Sequence, residues 1–491
     1  MKEVSLKLHP LGLDIRAREG TPLIDVLHGY GVEFPCGGKG SCGKCKIRVL
    51  HGRIDSASSV QGWHLACQSK LSGDVVLELE QFETLIQADE SKFKFTPEKG
   101  LGIAIDLGTT TVVCQLLDLE NGKILGAEAA LNSQGKFGSD LITRLEAGLA
   151  GHKEEMVRLI RRQVGEMTER LMEGRSETVR KVTIMGNTVM HHLFCDLDIR
   201  KLSFYPFESE NLEMVNFRAA DLNWSLRADA ISFYPSIGSF VGSDILAGIL
   251  ATGMRRTEEY TVLIDLGTNG EIVIGNRDRI LCASTAAGPA FEGAKISMGM
   301  LATSGAISSI SAGKNSWNYS VIGNTEARGI CGSGLIDAIA LLLKEGRLGV
   351  FGEILSGDPE VELLGSVVLT QKDIQEFQLA KAAIATGLEI LMRRLGIGVG
   401  DIKRVQVAGG FGSYLNKSHM KLTGMVPFAG ECISQWGNTS LMGAKMFLFD
   451  SSDSPESILS VSSHVNLESE PGFQDLYVDH MVFQTDWGSI Q

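Results

Sequence analysis

Hydrophobic and polar residues alternate near the start of the chain, which is the pattern of β-strands with one buried face. The stretch VSLKLHPLGLDIRA from Val4 predicts two short strands joined by a turn, and a short helix is expected to begin near Pro22. The stretch DVVLELE from Asp74 predicts a further strand. The polar stretch TLIQADESKFKFTPEK comes next, and its composition and Pro97 are typical of a linker. The pattern therefore separates one small N-terminal unit from the rest of the chain.

The remaining four hundred or so residues repeat one hydrophobic pattern. AIDLGTTTVVCQLLD from Ala104 and LIDLGTNGEIVIGN from Leu263 each combine an apolar strand, an Asp-Leu-Gly-Thr turn and a second apolar strand. Each copy leads to a strand that ends in a glycine-containing turn, in KVTIMGNTVMHHLF and in RVQVAGGFGSYL. The copies begin roughly 160 residues apart, which is too far for a solenoid and suits two similar α/β subdomains.

One long helix is predicted in the second copy. Thr370 and Asp373 form a capping box at its start, and Gly396 is expected to end it. An apolar stripe at helical spacing predicts a face packed in the core rather than a binding site. The stripe consists of Phe377, Ala380, Ile384, Leu388, Leu391 and Leu395.

Composition excludes several classes of protein. The chain has 491 residues, of which 44% are hydrophobic and 21% charged, so we expect a folded protein of about three compact units. The net charge of −13 disfavours binding to nucleic acid. No apolar run approaches the length of a membrane span and the N-terminus is unlike a signal peptide, so we expect a cytoplasmic protein without membrane attachment. Nine cysteines in that setting suggest reduced or metal-bound thiols.

Four of the cysteines form a candidate metal site. Cys36, Cys42 and Cys45 lie in the loop FPCGGKGSCGKCKIRVL, and Cys67 follows in WHLACQSK. The glycines of the loop allow the backbone to bend around a small inorganic core and to direct N–H groups at its sulfides. Three ligands close together and one remote indicate a 2Fe-2S cluster, although the plant-type spacing has one residue fewer between the first two cysteines. The alternative is a zinc site, but such sites usually have two CxxC pairs and this sequence has one.

The two Asp-Leu-Gly-Thr turns are candidate phosphate sites. In a tight hairpin turn, Gly108 permits close approach while backbone N–H groups and the hydroxyls of Thr109–Thr111 point at phosphate oxygens. Asp106 is expected to hold Mg²⁺ through water, because Mg²⁺ keeps much of its hydration. Asp265 and the residues of the second turn would bind the phosphates from the other side. One such tetrapeptide is weak evidence, whereas two together with VAGGFG predict a nucleotide cleft.

These motifs resemble those of the actin, sugar-kinase and heat-shock-chaperone superfamily, in which ATP lies between two RNase H-like halves. The fusion to a ferredoxin domain resembles the ATP-dependent reductive activators of corrinoid proteins. The resemblance implies a multidomain chain, with an N-terminal β-grasp (α+β) 2Fe-2S ferredoxin followed by an α/β ATPase of two RNase H-like halves. The expected segments are the ferredoxin domain 1–82, a linker 83–99, the first half 100–255, the second half 256–446 and a C-terminal extension 447–491.

The resemblance also assigns roles to individual residues. The expected catalytic residues are Asp106, Asp244 and Asp265. The expected nucleotide-binding residues are Gly108, Thr109, Thr110, Thr111, Gly267, Thr268, Asn269, Gly409, Gly410, Phe411 and Gly412. The expected cluster ligands are Cys36, Cys42, Cys45 and Cys67.

Several assignments have alternatives. Asp244 matches a position that orients the attacking water in the superfamily, or it is a helix N-cap. Glu292 and Lys295 either approach the nucleotide or form a surface pair. The turn DLGTNGE departs from the chaperone form, which leaves the role of Glu271 open. The linker is short compared with that of activators that carry an additional middle domain.

Other residues have a structural interpretation. His191 and His192 are adjacent on a predicted helix and point about 100° apart, so they make a poor metal pair. Cys331 either lines the nucleotide cleft or is an ordinary buried thiol.

The resemblance implies an enzyme that uses ATP to reduce a Co(II) corrinoid protein to Co(I) by one electron, which reactivates a methyltransferase system in anaerobes. The implied cofactors are a 2Fe-2S cluster, ATP and Mg²⁺. The implied partners are a corrinoid protein and an external low-potential electron donor, and the sequence leaves open whether the chain forms a homodimer. The alternatives are an electron donor to another low-potential metalloenzyme, a redox-sensing ATP-binding module and a small-molecule kinase.

Overall fold

The structure is a computed structural model. The residues that it describes are 2–9, 12–30, 32, 34, 36–56, 59–60, 62–79, 93–267, 269–288, 290–293, 295–314, 316–355, 357–409, 415–449, 453–483 and 487. Four predicted site residues, Thr268, Gly410, Phe411 and Gly412, lie outside the described residues, and so does most of the predicted linker.

The N-terminal unit is a mixed sheet against one short helix. Its first strand pairs in parallel with its last, and both have alternate side chains buried in one small core. The helix α1 (Leu23–Leu27) follows Pro22, as the sequence predicts. The strands are β1 (Glu3–His9), β2 (Leu13–Arg18), β3 (Lys46–Ser56), β4 (Ser59–Val60), β5 (Trp63–Leu65) and β6 (Ser69–Leu79), in the sheet order β2-β1-β6-β3-β5-β4.

The second sheet contains the first Asp-Leu-Gly-Thr turn. Three antiparallel strands form a meander, and the fourth lies parallel to the first of them. The strands are β7 (Leu101–Leu107), β8 (Thr111–Asp118), β9 (Ile124–Leu131), β10 (Val179–Gly186), β11 (Val215–Phe217) and β12 (Ile231–Phe233), in the order β11-β12-β10-β7-β8-β9. The helices of this region are α2 (Leu141–Ala147), α3 (Lys153–Leu171), α4 (Thr188–Cys195), α5 (Arg200–Ser203) and α6 (Ser243–Thr252).

The third sheet repeats the arrangement of the second. A meander of three strands carries the second turn, and a strand from far along the chain again lies parallel to the first strand of the meander. The strands that form this sheet are β13 (Tyr260–Leu266), β14 (Gly270–Gly275), β15 (Ile280–Thr285), β21 (Ile402–Ala408), β22 (Ile433–Gly437) and β23 (Ser462–His464), in the order β22-β21-β13-β14-β15-β23. The repeated hydrophobic pattern therefore corresponds to a repeated fold.

Two small sheets and the remaining helices complete the second half. The sheets consist of β16 (Ala306–Ala312), β17 (Trp317–Val321) and β18 (Gly329–Ile330), and of β19 (Glu360–Glu362) and β20 (Val368–Thr370). The helices are α7 (Gly332–Lys344), α8 (Gln371–Leu395), α9 (Lys417–Leu422), α10 (Thr439–Met446), α11 (Pro455–Leu459) and α12 (Phe473–Asp479). None of the described helices is long and apolar enough to cross a bilayer.

The predicted long helix is confirmed in detail. The capping box of Thr370 and Asp373 is present, and Gly396 ends α8 in the left-handed conformation with a φ of 68°. The predicted stripe is buried except for Leu395, which is half-buried. The stripe belongs to the core of the second half, as expected.

Helices α6 and α10 pack against each other between the two large sheets. Gly443 of α10 lies directly on the backbone of α6, where an added Cβ would stand 2.2 Å from the carbonyl oxygen of Ala247. Residues of both helices and of both central strands, such as Ala104 and Leu263, share one core. The two halves are therefore joined at the base of the space between their turns.

Parts of the predicted linker and of the C-terminal extension are packed on the large unit formed by the second and third sheets. Within the predicted linker, 93–99 form no helix or strand, but Phe95 lies against Phe449 with 4.3 Å between ring centroids. The last strand, β23, joins the third sheet beside β15. Near the C-terminus, the carbonyl of Val482 accepts a hydrogen bond of 2.6 Å from Lys381 Nζ of α8. The sequence alone does not determine these contacts.

Candidate functional site

The four candidate cluster ligands approach one another as two pairs. Hydrogen bonds link the side chain of Cys36 with that of Cys42, and the side chain of Cys45 with that of Cys67. The hydrogen bond from Cys45 lowers the pKa of the Cys67 thiol to about 6. A 2Fe-2S cluster needs two ligands on each iron, so two pairs of thiols suit it better than they suit the single ion of a zinc site.

The backbone of the cysteine loop also fits a small inorganic core. All four predicted glycines of the loop have positive φ, between 58° and 81°, which a residue with a Cβ rarely adopts. Gln68 holds the loop from outside, because its Nε2 donates to the carbonyl of Gly38 at 2.8 Å. Among the described residues, no three His, Cys, Asp or Glu side chains are placed to hold one metal ion together. The pairs are thus consistent with two cysteine ligands on each of two irons.

The first phosphate turn joins β7 to β8. The N–H of Gly108 donates to the carbonyl of Thr111 at 3.0 Å and closes the turn. Asn132 supports it from behind, because its Nδ2 donates to the carbonyl of Gly108 at 2.8 Å. In the second turn, the N–H of Gly267 donates to the carbonyl of Asn269 at 3.0 Å.

A cleft of about 250 Å³ lies between the two turns. The structure brings all of the described nucleotide and catalytic residues predicted from the sequence to this cleft. The predicted residues that line it are Asp106, Gly108, Thr109, Thr110, Thr111, Asp244, Asp265, Gly267, Asn269 and Gly409. The repeated turns therefore face a common space, as the resemblance implies.

The position of Asp244 excludes one of its two interpretations. The N-cap of α6 is Gly242, and Asp244 is in the first turn of the helix, so the prediction of an N-cap is wrong. The carboxylate of Asp244 accepts a hydrogen bond from the N–H of Ile245 at 2.8 Å and lines the cleft. A helix N-terminus places both its amides and this carboxylate at the cleft.

Two asparagines that the sequence analysis did not single out support the site. Asn187 is the N-cap of α4 and its Nδ2 donates to Thr109 Oγ1 at 2.9 Å. Asn438 is the N-cap of α10 and its Nδ2 donates to Asp106 Oδ2 at 2.7 Å, while Ser440 Oγ donates to Asp106 Oδ1 at 2.7 Å. The sequence contains a pattern that could have identified these asparagines, because both stand in a Gly-Asn-Thr tripeptide.

The cleft brings together carboxylates that are at least half-buried. Burial raises the pKa of Asp265 to about 7, and the charge of Asp106 adds to this rise. Burial raises the pKa of Asp244 to about 7 as well, and the charges of Asp265 and Asp106 act in the same direction. Glu271, whose role the sequence leaves open, also lines the cleft, and burial raises its pKa well above the usual range. Such a cluster favours a bound cation or a proton.

Glu292 and Lys295 have different surroundings. Glu292 lines the cleft, whereas Lys295 Nζ is 3.7 Å from a carboxylate oxygen of Glu376 in an ion pair.

The remaining candidates are buried. Cys331 fits both of its predicted interpretations, because it is buried and it lines the cleft. His191 and His192 are fully buried, and the ring of His192 hydrogen-bonds the Thr188 carbonyl and Ser209 Oγ.

Comparison with known proteins gives matches along the chain. The family model described as "2Fe-2S iron-sulfur cluster binding domain" matches residues 6–72. The models described as "RACo middle region" and "C-terminal domain of RACo the ASKHA domain" match residues 101–257 and 259–489. The corrinoid activation enzyme RamQ of Eubacterium limosum is 33% identical over 422 residues, which cover 78% of this chain and 70% of that protein.

The chain belongs to the family of reductive activators of corrinoid proteins. Another relative, the [Co(II) methylated amine-specific corrinoid protein] reductase of Methanosarcina barkeri, is 27% identical over 78% of this chain and 77% of that protein. The solved structure of a reductive activator for a corrinoid, iron-sulfur protein covers 99% of both chains with 27% identity and a TM-score of 0.69.

Membership of the family accounts for both predicted sites. The chain combines an N-terminal 2Fe-2S domain with an ATPase of the actin and sugar-kinase class, as the sequence predicts. The family model of the middle region matches 101–257, which begins at the second sheet.

Proposed function

We propose that this protein uses ATP to reduce a Co(II) corrinoid protein to Co(I) by one electron. The observation that carries the proposal is the union, in one chain of the activator family, of a paired cysteine site and a carboxylate-rich nucleotide cleft. The printed names of two relatives, a corrinoid activation enzyme and a Co(II) corrinoid protein reductase, support the choice of substrate.

In this proposal the two hairpin turns hold the phosphates of ATP. Amides and hydroxyls of Gly108–Thr111 bind one side, and Gly267, Thr268 and Asn269 bind the other. The resemblance assigns Gly409, Gly410, Phe411 and Gly412 to binding of the adenosine. Asn187 and Asn438 keep the first turn and Asp106 in place through the hydrogen bonds described above.

The carboxylates of the cleft have two proposed roles, which are to bind Mg²⁺ and to accept a proton. Asp106, which Asn438 and Ser440 fix from both sides, holds the hydrated Mg²⁺ that accompanies ATP. Few direct protein ligands are needed, because Mg²⁺ retains water and binds phosphate oxygens. Asp244 and Asp265, with pKa values raised to about 7, are suited to accept a proton from the attacking water near neutral pH.

The cysteine pairs supply the redox function. Cys36, Cys42, Cys45 and Cys67 hold a 2Fe-2S cluster, which transfers single electrons when bound. The corrinoid protein and a low-potential donor are the partners on either side of this transfer. Each 100 mV of an uphill one-electron step costs about 2.3 kcal/mol, so ATP is required if the cobalt is harder to reduce than the donor.

The proposal is tested with Asp106→Ala and Asp265→Ala in the full-length protein that carries its cluster. We expect each variant to lose ATP-dependent cobalt reduction and ATP hydrolysis by at least about 100-fold, because the charge at the metal and phosphates is removed. The visible spectrum of the cluster should not change. Asp118→Ala, an acidic residue at the far end of β8, is the matched control. Retention of ATP-dependent reduction by both cleft variants would show that the cleft does not drive the reaction.

A further inference from the structure

The cysteine loop is seated across the two halves of the ATPase. Gly37 lies on the first half, where an added Cβ would stand 2.7 Å from the carbonyl oxygen of Phe137. Lys44, between the second and third cysteines, reaches the second half, where its Nζ donates to the carbonyl of Ile296 at 2.8 Å and to that of Gly299 at 3.1 Å. The loop that holds the proposed cluster therefore contacts both halves of the ATPase.

On the first half, the loop packs on Phe137 and Gly138, which we call the seat. One buried side chain connects the seat to the phosphate turn. Arg144 is 1% exposed; its Nε donates to the carbonyl of Gly138 at 2.9 Å, and its Nη2 donates to the carbonyl of Thr109. Thr109 lines the cleft, while Gly138 follows the residue on which Gly37 packs. A single planar guanidinium thus fixes the distance between the phosphate turn and the seat.

On the second half, the segment that receives Lys44 is continuous with the wall of the cleft. The carbonyls that receive Lys44 belong to 296–299, and Met300–Thr303 line the cleft immediately after them. This segment is held in place at Ser297, whose N–H donates to Asp373 Oδ1 at 2.6 Å, and at Met300, whose N–H donates to the carbonyl of Ile330 at 3.0 Å. A shift of the wall would therefore move the acceptors of Lys44.

We propose that Lys44 is a positioning residue that couples docking of the cysteine loop to nucleotide binding in the cleft. The inference rests on the proposed nucleotide site. Nucleotide that orders Thr109 and Met300 also orders the two segments on which the loop sits, so docking then costs less entropy. Because coupling between two sites is reciprocal, a docked loop must in turn tighten nucleotide binding by the same factor. Lys44 affects the cleft in this way although it is not among the residues that line it.

The test measures nucleotide affinity and so does not depend on electron transfer. A non-hydrolysable ATP analogue with Mg²⁺ is titrated calorimetrically into the full-length protein that carries its cluster. Lys44→Ala should bind the analogue at least about fivefold more weakly than the wild type, the lower range of typical couplings. Lys44→Arg, which keeps a cation that donates to carbonyls, should restore most of the affinity.

Two further variants separate docking from damage to the cysteine loop. Asp25→Ala removes an ion pair of 3.3 Å between the N-terminal unit and Lys136 of the first half, and Asp25 lies outside the cysteine loop, so this variant should also weaken binding. Lys136 keeps its ion pair of 2.7 Å with Glu155 in that variant. Lys70→Ala removes an exposed lysine of the N-terminal unit and should bind as the wild type does. Hydrogen exchange should show that the analogue protects 36–45 in the wild type and not in Lys44→Ala.

Equal affinity of the wild type and Lys44→Ala, with equal protection of 36–45, overturns the coupling and leaves the proposed function standing. Failure of the wild type itself to bind the analogue overturns both the coupling and the proposed function.

Discussion

At the scale of single residues, several carboxylates lie at the cleft, and ionising all of them without a bound cation is unfavourable. Asp106, Asp244 and Asp265 are half-buried and Glu271 is buried. Removal from solvent raises the pKa of each carboxyl. A carboxylate whose pKa is raised in the folded protein destabilises it once ionised. The destabilisation is absent below the unfolded pKa near 4 and complete above about 7 for Asp265. The carboxylates that are suited to bind a cation and phosphates therefore lower the free energy of unfolding at neutral pH.

The stability of Asp265→Asn tests this electrostatic strain. At pH 8 and without nucleotide, the variant should be more stable than the wild type by about 1–3 kcal/mol, because it removes an ionised buried group. The gain should shrink as pH falls from 7 towards 4, where the wild-type carboxyl is protonated in both states. Urea unfolding at pH 5 and pH 8 measures it. Asp278→Asn, at an exposed site, is the control and should show no gain. A destabilised Asp265→Asn at pH 8 would contradict the account.

Sequence predicted the residues of the site where a repeated motif identified them. Asp106 and Asp265 stand in two copies of one tetrapeptide, so the repeat itself distinguishes them from ordinary hairpin residues. Asn187 and Asn438 stand in a shorter repeat and were not predicted, because an asparagine before a helix is common as a cap. Arg144 has no motif, since it contacts backbone carbonyls that any sequence provides.

At the scale of secondary-structure elements, the turn after β21 depends on one glycine. Gly409 has a φ of 101°, and an added Cβ would lie 2.1 Å from the carbonyl oxygen of Leu266 in the neighbouring strand β13. This contact brings the end of β21 against the end of the strand that carries the second phosphate turn. The glycine thus allows the two strand ends to meet at the cleft.

Substitution of this glycine tests the packing of the two strand ends. Gly409→Ala should destabilise the protein by about 2 kcal/mol or more, because a positive φ and a backbone clash coincide. Nucleotide affinity should fall with it. Gly400→Ala, just before β21, has open space around its Cβ and should change stability by less than about 1 kcal/mol. Thermal unfolding and nucleotide titration of both variants give the comparison, and a Gly409→Ala protein as stable as Gly400→Ala would refute the argument.

Elements with complete local signals were predicted, and those without them were not. The sequence of α8 has its cap, its stripe and its terminal glycine, so its bounds agree with the structure to the residue. The small sheet of β16, β17 and β18 was missed, since β18 has only two residues and β16 is held by contacts to α7. For example, the N–H of Ile310 in β16 donates to Asp337 of α7 at 2.9 Å. Such pairing is set by tertiary contacts rather than by local pattern.

At the scale of the whole molecule, the cysteine loop packs against the unit that contains the nucleotide cleft. Sequence predicted both sites and the family that unites them, but it did not predict how the cysteine loop sits on the ATPase. Lys44 and its acceptor Ile296 are 252 residues apart, and the acceptor is a backbone carbonyl with no side-chain signature. The arrangement places the cysteine loop against 296–299, which lead directly into residues that line the proposed nucleotide cleft. Nucleotide and redox steps can therefore be linked within one protein.

The central claim is that ATP drives the reduction of cobalt. The most direct measurement mixes the reduced protein with Co(II) corrinoid protein under strict anaerobiosis and follows the visible spectrum without nucleotide, with Mg²⁺-ADP and with Mg²⁺-ATP. The account predicts that Co(I) accumulates only with ATP. Equal formation of Co(I) without nucleotide would contradict it, as would cobalt that stays Co(II) with ATP and several corrinoid partners while the cluster remains reduced.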